Sequence, residues 1–282
     1  MTAKRKKDIK TFPYPELITS KFMSSGKAIP FWYSNAQGET GSWVVLIHGL
    51  GVDCSVWNPY LKDLLPKHNV LLVDLPGHGS NPTPFSLEES AKQIRFAMQQ
   101  IRASSAVMIG HCIGGCVAQV FSTMYPERCE ELILIDTFPL GGEQYQYASF
   151  KWLSAVKPLM LAVPSPVFSG ALTGLFSARK DGRRALYPQI REQKVLPVYK
   201  VFQSAMQAMS KYPTPTYLTE DYRRIPVHYL VGSRDPLYPI KRWNQGAAEL
   251  HKGTFQLLDK CGHYSITDNP DLVRTEIRSL LS

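Results

Sequence analysis

Nothing in this chain of 282 residues reads as a membrane span, a disulfide framework or a metal-binding cysteine pattern. No stretch approaches the roughly 18 uninterrupted apolar residues that cross a bilayer, and the N-terminus lacks the apolar segment of a secretion signal, so a cytoplasmic location is expected. Cysteines are few and odd in number (Cys54, Cys112, Cys116, Cys129 and Cys261), with no C-x-x-C pair. They read as reduced thiols, with neither disulfides nor a zinc site expected. Acidic residues are scarce beside basic ones, 23 against 32, which leaves a net charge of +9. The excess is uneven: residues 1 to 10 carry +4, residues 141 to 224 carry +7, and the remainder carries −2. These basic residues are not interleaved with aromatics on a recognisable face, and no reader motif accompanies them, so no nucleic-acid partner is expected. The run Lys4-Arg5-Lys6-Lys7 reads as part of a flexible, solubilising tail. Internal repeats and low-complexity tracts are absent.

What is present is a regular alternation of short apolar runs and helical patterns. Ser42 to Ile47, Asn69 to Val73, Ala106 to Ile109, Glu131 to Ile135, Val227 to Val231 and Thr254 to Leu258 read as buried strands. Helical spacing fills Val56 to Leu65, Ser86 to Arg102, Cys116 to Tyr125, Ile240 to Leu250 and Leu272 to Leu281, with Ser86 and Glu89 spaced as a capping box. Such alternation predicts an α/β fold with a mainly parallel, doubly wound sheet and chemistry at the carboxyl ends of its strands. The rhythm breaks between about Phe138 and Arg224, where aromatics, methionines and prolines suggest a helical cap inserted between the strands ending near Asp136 and Gly232. The expected division is a flexible segment over 1–27, a core over 28–138 and 225–282, and a cap over 139–224.

One segment carries chemistry. In Gly110-His111-Cys112-Ile113-Gly114-Gly115 a strand turns into a helix, and glycines stand two before and two after Cys112. A sharp turn there exposes the middle side chain and aims the amides of the following helix at it, which favours both a thiolate and an oxyanion.

With this elbow and three further motifs, the chain resembles the α/β-hydrolase fold superfamily with an inserted lid, in a variant with a cysteine nucleophile. His48-Gly49-Leu50-Gly51 resembles the H-G-x-G loop, Val231 to Pro236 the strand end that bears the acid, and Cys261-Gly262-His263-Tyr264 the histidine loop. The resemblance runs from about residue 28 to the end. It implies Cys112 as nucleophile, His263 as base, Asp235 as acid, and the backbone amides of Leu50 and Ile113 as an oxyanion hole. Asp136 is an alternative acid, and His48 and His78 are weaker alternative bases. Asp74 is expected to anchor a loop, and Cys54, Cys116 and Cys261 to pack.

The activity this implies is hydrolysis of an ester, lactone or thioester through an acyl-cysteine, without cofactor or metal. Transfer or cyclisation that releases the acyl group to an amine, alcohol or thiol, carbon-carbon bond cleavage by a lyase or hydrolase on the same scaffold, and non-catalytic ligand binding remain open alternatives. The expected substrate is a small acyl compound with an apolar part, and the basic cap would suit its presentation on an acidic carrier protein or coenzyme A.

Overall fold

The computed structural model describes residues 12–38, 40–137, 139, 163–192, 200–201, 203–204, 224–237 and 252–282. Eight strands form one sheet: β1 (Ile18–Ser24), β2 (Lys27–Ser34), β3 (Trp43–Ile47), β4 (Asn69–Val73), β5 (Ala106–His111), β6 (Cys129–Ile135), β7 (Val227–Gly232) and β8 (Thr254–Leu258). Their order is β1-β2-β4-β3-β5-β6-β7-β8, antiparallel at β1, β2 and β4 and parallel from β4 onward.

The six runs read as buried strands all lie in this sheet. Each presents apolar side chains to both faces: Trp43, Val45 and Ile47 of β3 face one apolar layer, and Val44 and Leu46 face the other. Helices α2 (Leu87–Gln100) and α3 (Ile113–Met124) fill the first layer, and α1 (Asn58–Leu64) the second. Each large side chain so buried contributes about 1.5–3 kcal/mol, which is why a strand covered on both faces is almost purely apolar.

Two further helices, α4 (Ser165–Phe176) and α5 (Lys180–Glu192), fall between β6 and β7, where the insertion was expected. The chain closes with the short α6 (Ser265–Asp268) and with α7 (Pro270–Leu280). α5, α6 and α7 add Leu186, Ile190, Ile266, Val273 and Ile277 to the second layer. The helix expected over Ile240 to Leu250 lies outside the described residues. Among the described residues, no helix is long and apolar enough to cross a membrane.

Within the segment expected to be flexible over 1–27, the described residues from Ile18 onward are paired in the sheet. β1 and β2 form a hairpin whose two-residue loop, Ser25 and Gly26, has φ of 48° and 72°, the type I′ geometry that matches strand twist. In β1 only Phe22 is buried, so the period-2 signal is too sparse to read. In β2, Pro30 sits within the run, just before the residues that pair with β4.

The helix expected from Val56 begins instead as a 3-10 turn, Cys54–Trp57, capped by Asp53, before α1. The Ser86 hydroxyl accepts from the Glu89 amide at 3.0 Å as the capping box requires. The Glu89 carboxylate turns elsewhere, accepting from Ser24 Oγ at 3.0 Å and Gln93 Nε2 at 3.1 Å, which ties α2 to β1.

Candidate active site

Cys112 stands between β5 and α3 with φ of 53° and ψ of −119°, a conformation L-residues rarely adopt. Its amide donates to Ile135 O at 2.9 Å, and Thr137 Oγ1 donates to its carbonyl at 2.5 Å, so strand β6 and the residues after it hold the turn. The elbow glycines are there for close approach. A Cβ on Gly110 would lie 2.5 Å from Gly114 O, and one on Gly114 would lie 2.4 Å from Ile47 O. Both obstacles are backbone, with nowhere to move.

Cys112 is partly exposed, and the loops after β7 and β8 bring Asp235 and His263 to it. His263 Nδ1 and Asp235 Oδ2 are 2.8 Å apart, with both side chains buried, and Asp235 Oδ1 accepts from the Leu237 amide at 2.8 Å. Burial alone would lower the His263 imidazole. The charges of Asp235 and Cys112, with the hydrogen bond to Asp235, instead raise it well above the ordinary histidine range. The histidine is thus poised to hold a proton between a carboxylate and a sulfur.

Asp136, weighed as an alternative acid, ends β6 with φ of 45° and is committed to the scaffold. Its Oδ1 accepts from Gly232 N at 2.8 Å, and its Oδ2 from Ser265 N at 3.0 Å and from Ser265 Oγ, so one carboxyl group fastens the acid loop to the histidine loop. Burial, then the charge of Asp235, pushes it up to about 8.

His111 completes the floor. Its Nε2 donates to His263 O at 2.9 Å, its ring lies 4.6 Å from that of Tyr264, and burial followed by the charge of His263 lowers it to about 3. No motif reading singled out His111, Thr137, Tyr264 or Asp268. Their only sequence signal is adjacency to Cys112, Asp136 or His263, and for Asp268 there is none.

The loop after β3 packs directly on the elbow: a Cβ on Gly49 would lie 2.4 Å from His111 Nδ1 and 3.2 Å from Cys112 Cβ. Leu50 follows, its carbonyl accepting from the Tyr264 hydroxyl. Ile113, the other expected oxyanion residue, is the first residue of α3, where amide groups point outward from the helix end.

The remaining histidines and acids brace loops. His48 Nδ1 donates to Gly49 O at 2.8 Å while its Nε2 accepts from the Leu75 amide at 2.9 Å. His78 Nδ1 donates to Pro76 O at 3.1 Å, and burial, then His48, lowers it to about 3. Asp53, Cys54 and Asp74 come within 4.8 Å of one another. Asp53 accepts from Ser55 N at 3.0 Å, and Asp74 accepts from Cys54 N at 3.0 Å and Ser80 N at 2.7 Å, so both carboxylates act as loop anchors. Cys54, Cys116, Cys129 and Cys261 are buried. Burial pushes the Cys261 thiol up to about 12 and the Cys129 thiol higher still, which makes both inert.

Known proteins share this fold. The model of the alpha/beta hydrolase family matches residues 44–276. A pimeloyl-acyl-carrier protein methyl ester esterase of Pectobacterium atrosepticum is 23% identical over 255 residues, covering 88% of this chain and 96% of the relative. One of Wigglesworthia glossinidia brevipalpis is 25% identical over 217 residues, covering 75% and 81%. Among solved structures, a thermophilic esterase from Thermogutta terrifontis superposes with a TM-score of 0.74 at 20% identity, covering 94% of this chain and 97% of that one.

Proposed function

The chain belongs to the alpha/beta hydrolase family, and from that premise we propose that it hydrolyses an acyl ester or thioester, with Cys112 as nucleophile, His263 as base and Asp235 as acid. The observation that carries this reading is the His263 imidazole, 2.8 Å from Asp235 and raised by both Asp235 and Cys112. In the reaction the proton of Cys112 is already held on His263 Nε2, and the sulfur attacks the acyl carbonyl carbon. The oxyanion so formed lies by the amides of Leu50 and Ile113. Collapse breaks the bond to the leaving group, which takes the proton from His263 and departs as an alcohol or thiol. The acyl group stays on sulfur as a thioester. Water then gives a proton to His263 and attacks that thioester, releasing the acid and restoring the thiol.

Residues 139–224 are proposed to serve as the lid, and α4 and α5 lie within that span. The relatives named for a pimeloyl-acyl-carrier protein methyl ester favour an acyl group presented on a carrier. Exposed Arg179, Lys180, Arg183, Arg184 and Arg191, against Asp181 and Glu192, give α5 and the turn before it a surface suited to an acidic carrier.

The test is intact-mass measurement after mixing the protein with aryl esters and acyl thioesters, alongside product release. The expected result is a transient acyl adduct on Cys112, absent in Cys112→Ala, that discharges in water. Discharge only on addition of an amine or alcohol would make the protein a transferase. Failure of the wild type to acylate would refute the nucleophile.

A further inference from the structure

We propose that Asp268 is a positioning residue that fastens the histidine loop to the inserted hairpin of α4 and α5, so that the seating of the hairpin sets the position of the His263 ring. The inference rests on His263 being the base. Asp268 closes α6 and is 3% exposed. Its Oδ2 accepts from Gly262 N at 2.7 Å and from Ala178 N at 2.8 Å. Its Oδ1 accepts from Arg179 N at 3.3 Å and from the Ser177 hydroxyl. Three of these four donors come from the turn that joins α4 to α5, and the fourth is the residue just before His263.

A second strap lies on the other side of the histidine, where Tyr264 N donates to Phe176 O at 3.1 Å. Both chain neighbours of His263 are therefore bonded to the hairpin, one through Asp268 and one directly. The ring of Phe176 lies 5.6 Å from that of His263. The approach is close as well as bonded. A Cβ on Gly182 would lie 2.1 Å from Asp268 Oδ1, and one on Gly262 would lie 2.6 Å from Phe176 O and 2.9 Å from Ala178 N. Arg183 Nε donates to Ser177 O at 2.9 Å, which holds the turn itself in shape.

A buried carboxylate with four fixed donors is held in place by them, because each lost partner leaves charge with less compensation. An amide of the same shape keeps the volume and turns one oxygen into a donor that meets N–H groups. A hairpin displaced by such a change would pull on Gly262, and the imidazole would follow. Proton transfer to and from sulfur tolerates little displacement, since an error of about 1 Å costs about 100-fold in rate.

The experiment compares Asp268→Asn with wild type by aryl-ester turnover, by NMR titration of the His263 ring and by thermal melting. In a folded variant kcat should fall about 30-fold or more with KM changed less than about threefold. The His263 titration should move toward the ordinary value of about 6.5. Ser177→Ala, which keeps the carboxylate and its bond to Gly262, carries the same readouts if Asp268→Asn does not fold, with a loss of about threefold in kcat. Wild-type kcat together with a wild-type His263 titration in the folded variant overturns the proposal. Absence of turnover in the wild type overturns only the hydrolase reading. The titration then decides alone: a shifted His263 supports the positioning role, and an unshifted one refutes it.

Discussion

Two histidine-carboxylate pairs sit at opposite ends of the same sheet. At the carboxyl end, His263 and Asp235 are 2.8 Å apart, buried, and the imidazole is raised well above its ordinary value. At the amino end, His228 Nε2 and Glu131 Oε1 are 3.3 Å apart on β7 and β6, both partly exposed. There burial lowers His228, while burial and then the neighbouring Glu130 push Glu131 up to about 7, so each group drifts toward its neutral form. The pairing is alike and the outcome opposite. Asp235 is fixed by the Leu237 amide, and its histidine also faces a sulfur. His228 has the Thr254 hydroxyl at 2.8 Å on its other nitrogen. A histidine beside a carboxylate is raised only where fixed donors and charges make its charged form the better one.

The sharpest way to break this contrast is Asp235→Asn. It should lower kcat by about 10⁴ through loss of the orienting charge, read by aryl-ester turnover with melting as the control for folding. A loss below tenfold would dissolve the distinction between the two ends.

Next in size is Gly114→Ala. The added Cβ meets Ile47 O at 2.4 Å and His48 O at 2.5 Å, and it should cost about 1–3 kcal/mol in urea unfolding by overpacking. Wild-type stability would mean that the elbow is looser than its contacts imply.

A third test uses pH. The folded value of His111, about 3, lies below the ordinary 6.5, so its stabilising contribution is present above about 6.5 and lost as pH falls toward 3. His111→Gln, with its own side-chain amide as the donor toward His263 O, should flatten the slope of unfolding free energy across that window by about 1.4 kcal/mol per pH unit. His78 retains the same titration as an internal reference. Identical slopes in the two proteins would refute the assignment.

The smallest effect belongs to the amino end. Glu131→Gln should change stability by less than about 0.5 kcal/mol and leave ester turnover unchanged. A large loss of turnover there would show that the two ends of the sheet are coupled.

The sheet was legible because strands buried on both faces must be apolar throughout, and β3, β4 and β5 carry that signature in runs such as Trp43–Ile47 and Asn69–Val73. The candidate site's local geometry was legible where close packing constrains the chain, as at Gly110 and Gly114 around Cys112 and at Gly262 before His263. The edge hairpin was not, since one buried side chain in seven leaves β1 without a pattern. Nor were the supports of the site. Asp136, an acid candidate by position, braces two loops, and Asp268 joins segments about 90 residues apart through Ser177, Ala178 and Arg179.

Sequence by itself determined the alternation of strand and helix, the elbow around Cys112, and the order of the groups that meet there, because periodicity and small-residue spacing are local properties. Tertiary structure alone decided which carboxylate bonds to His263, which is committed to the scaffold, and how strongly each is shifted. Those outcomes depend on burial and on donors brought from distant parts of the chain, and no local pattern encodes them.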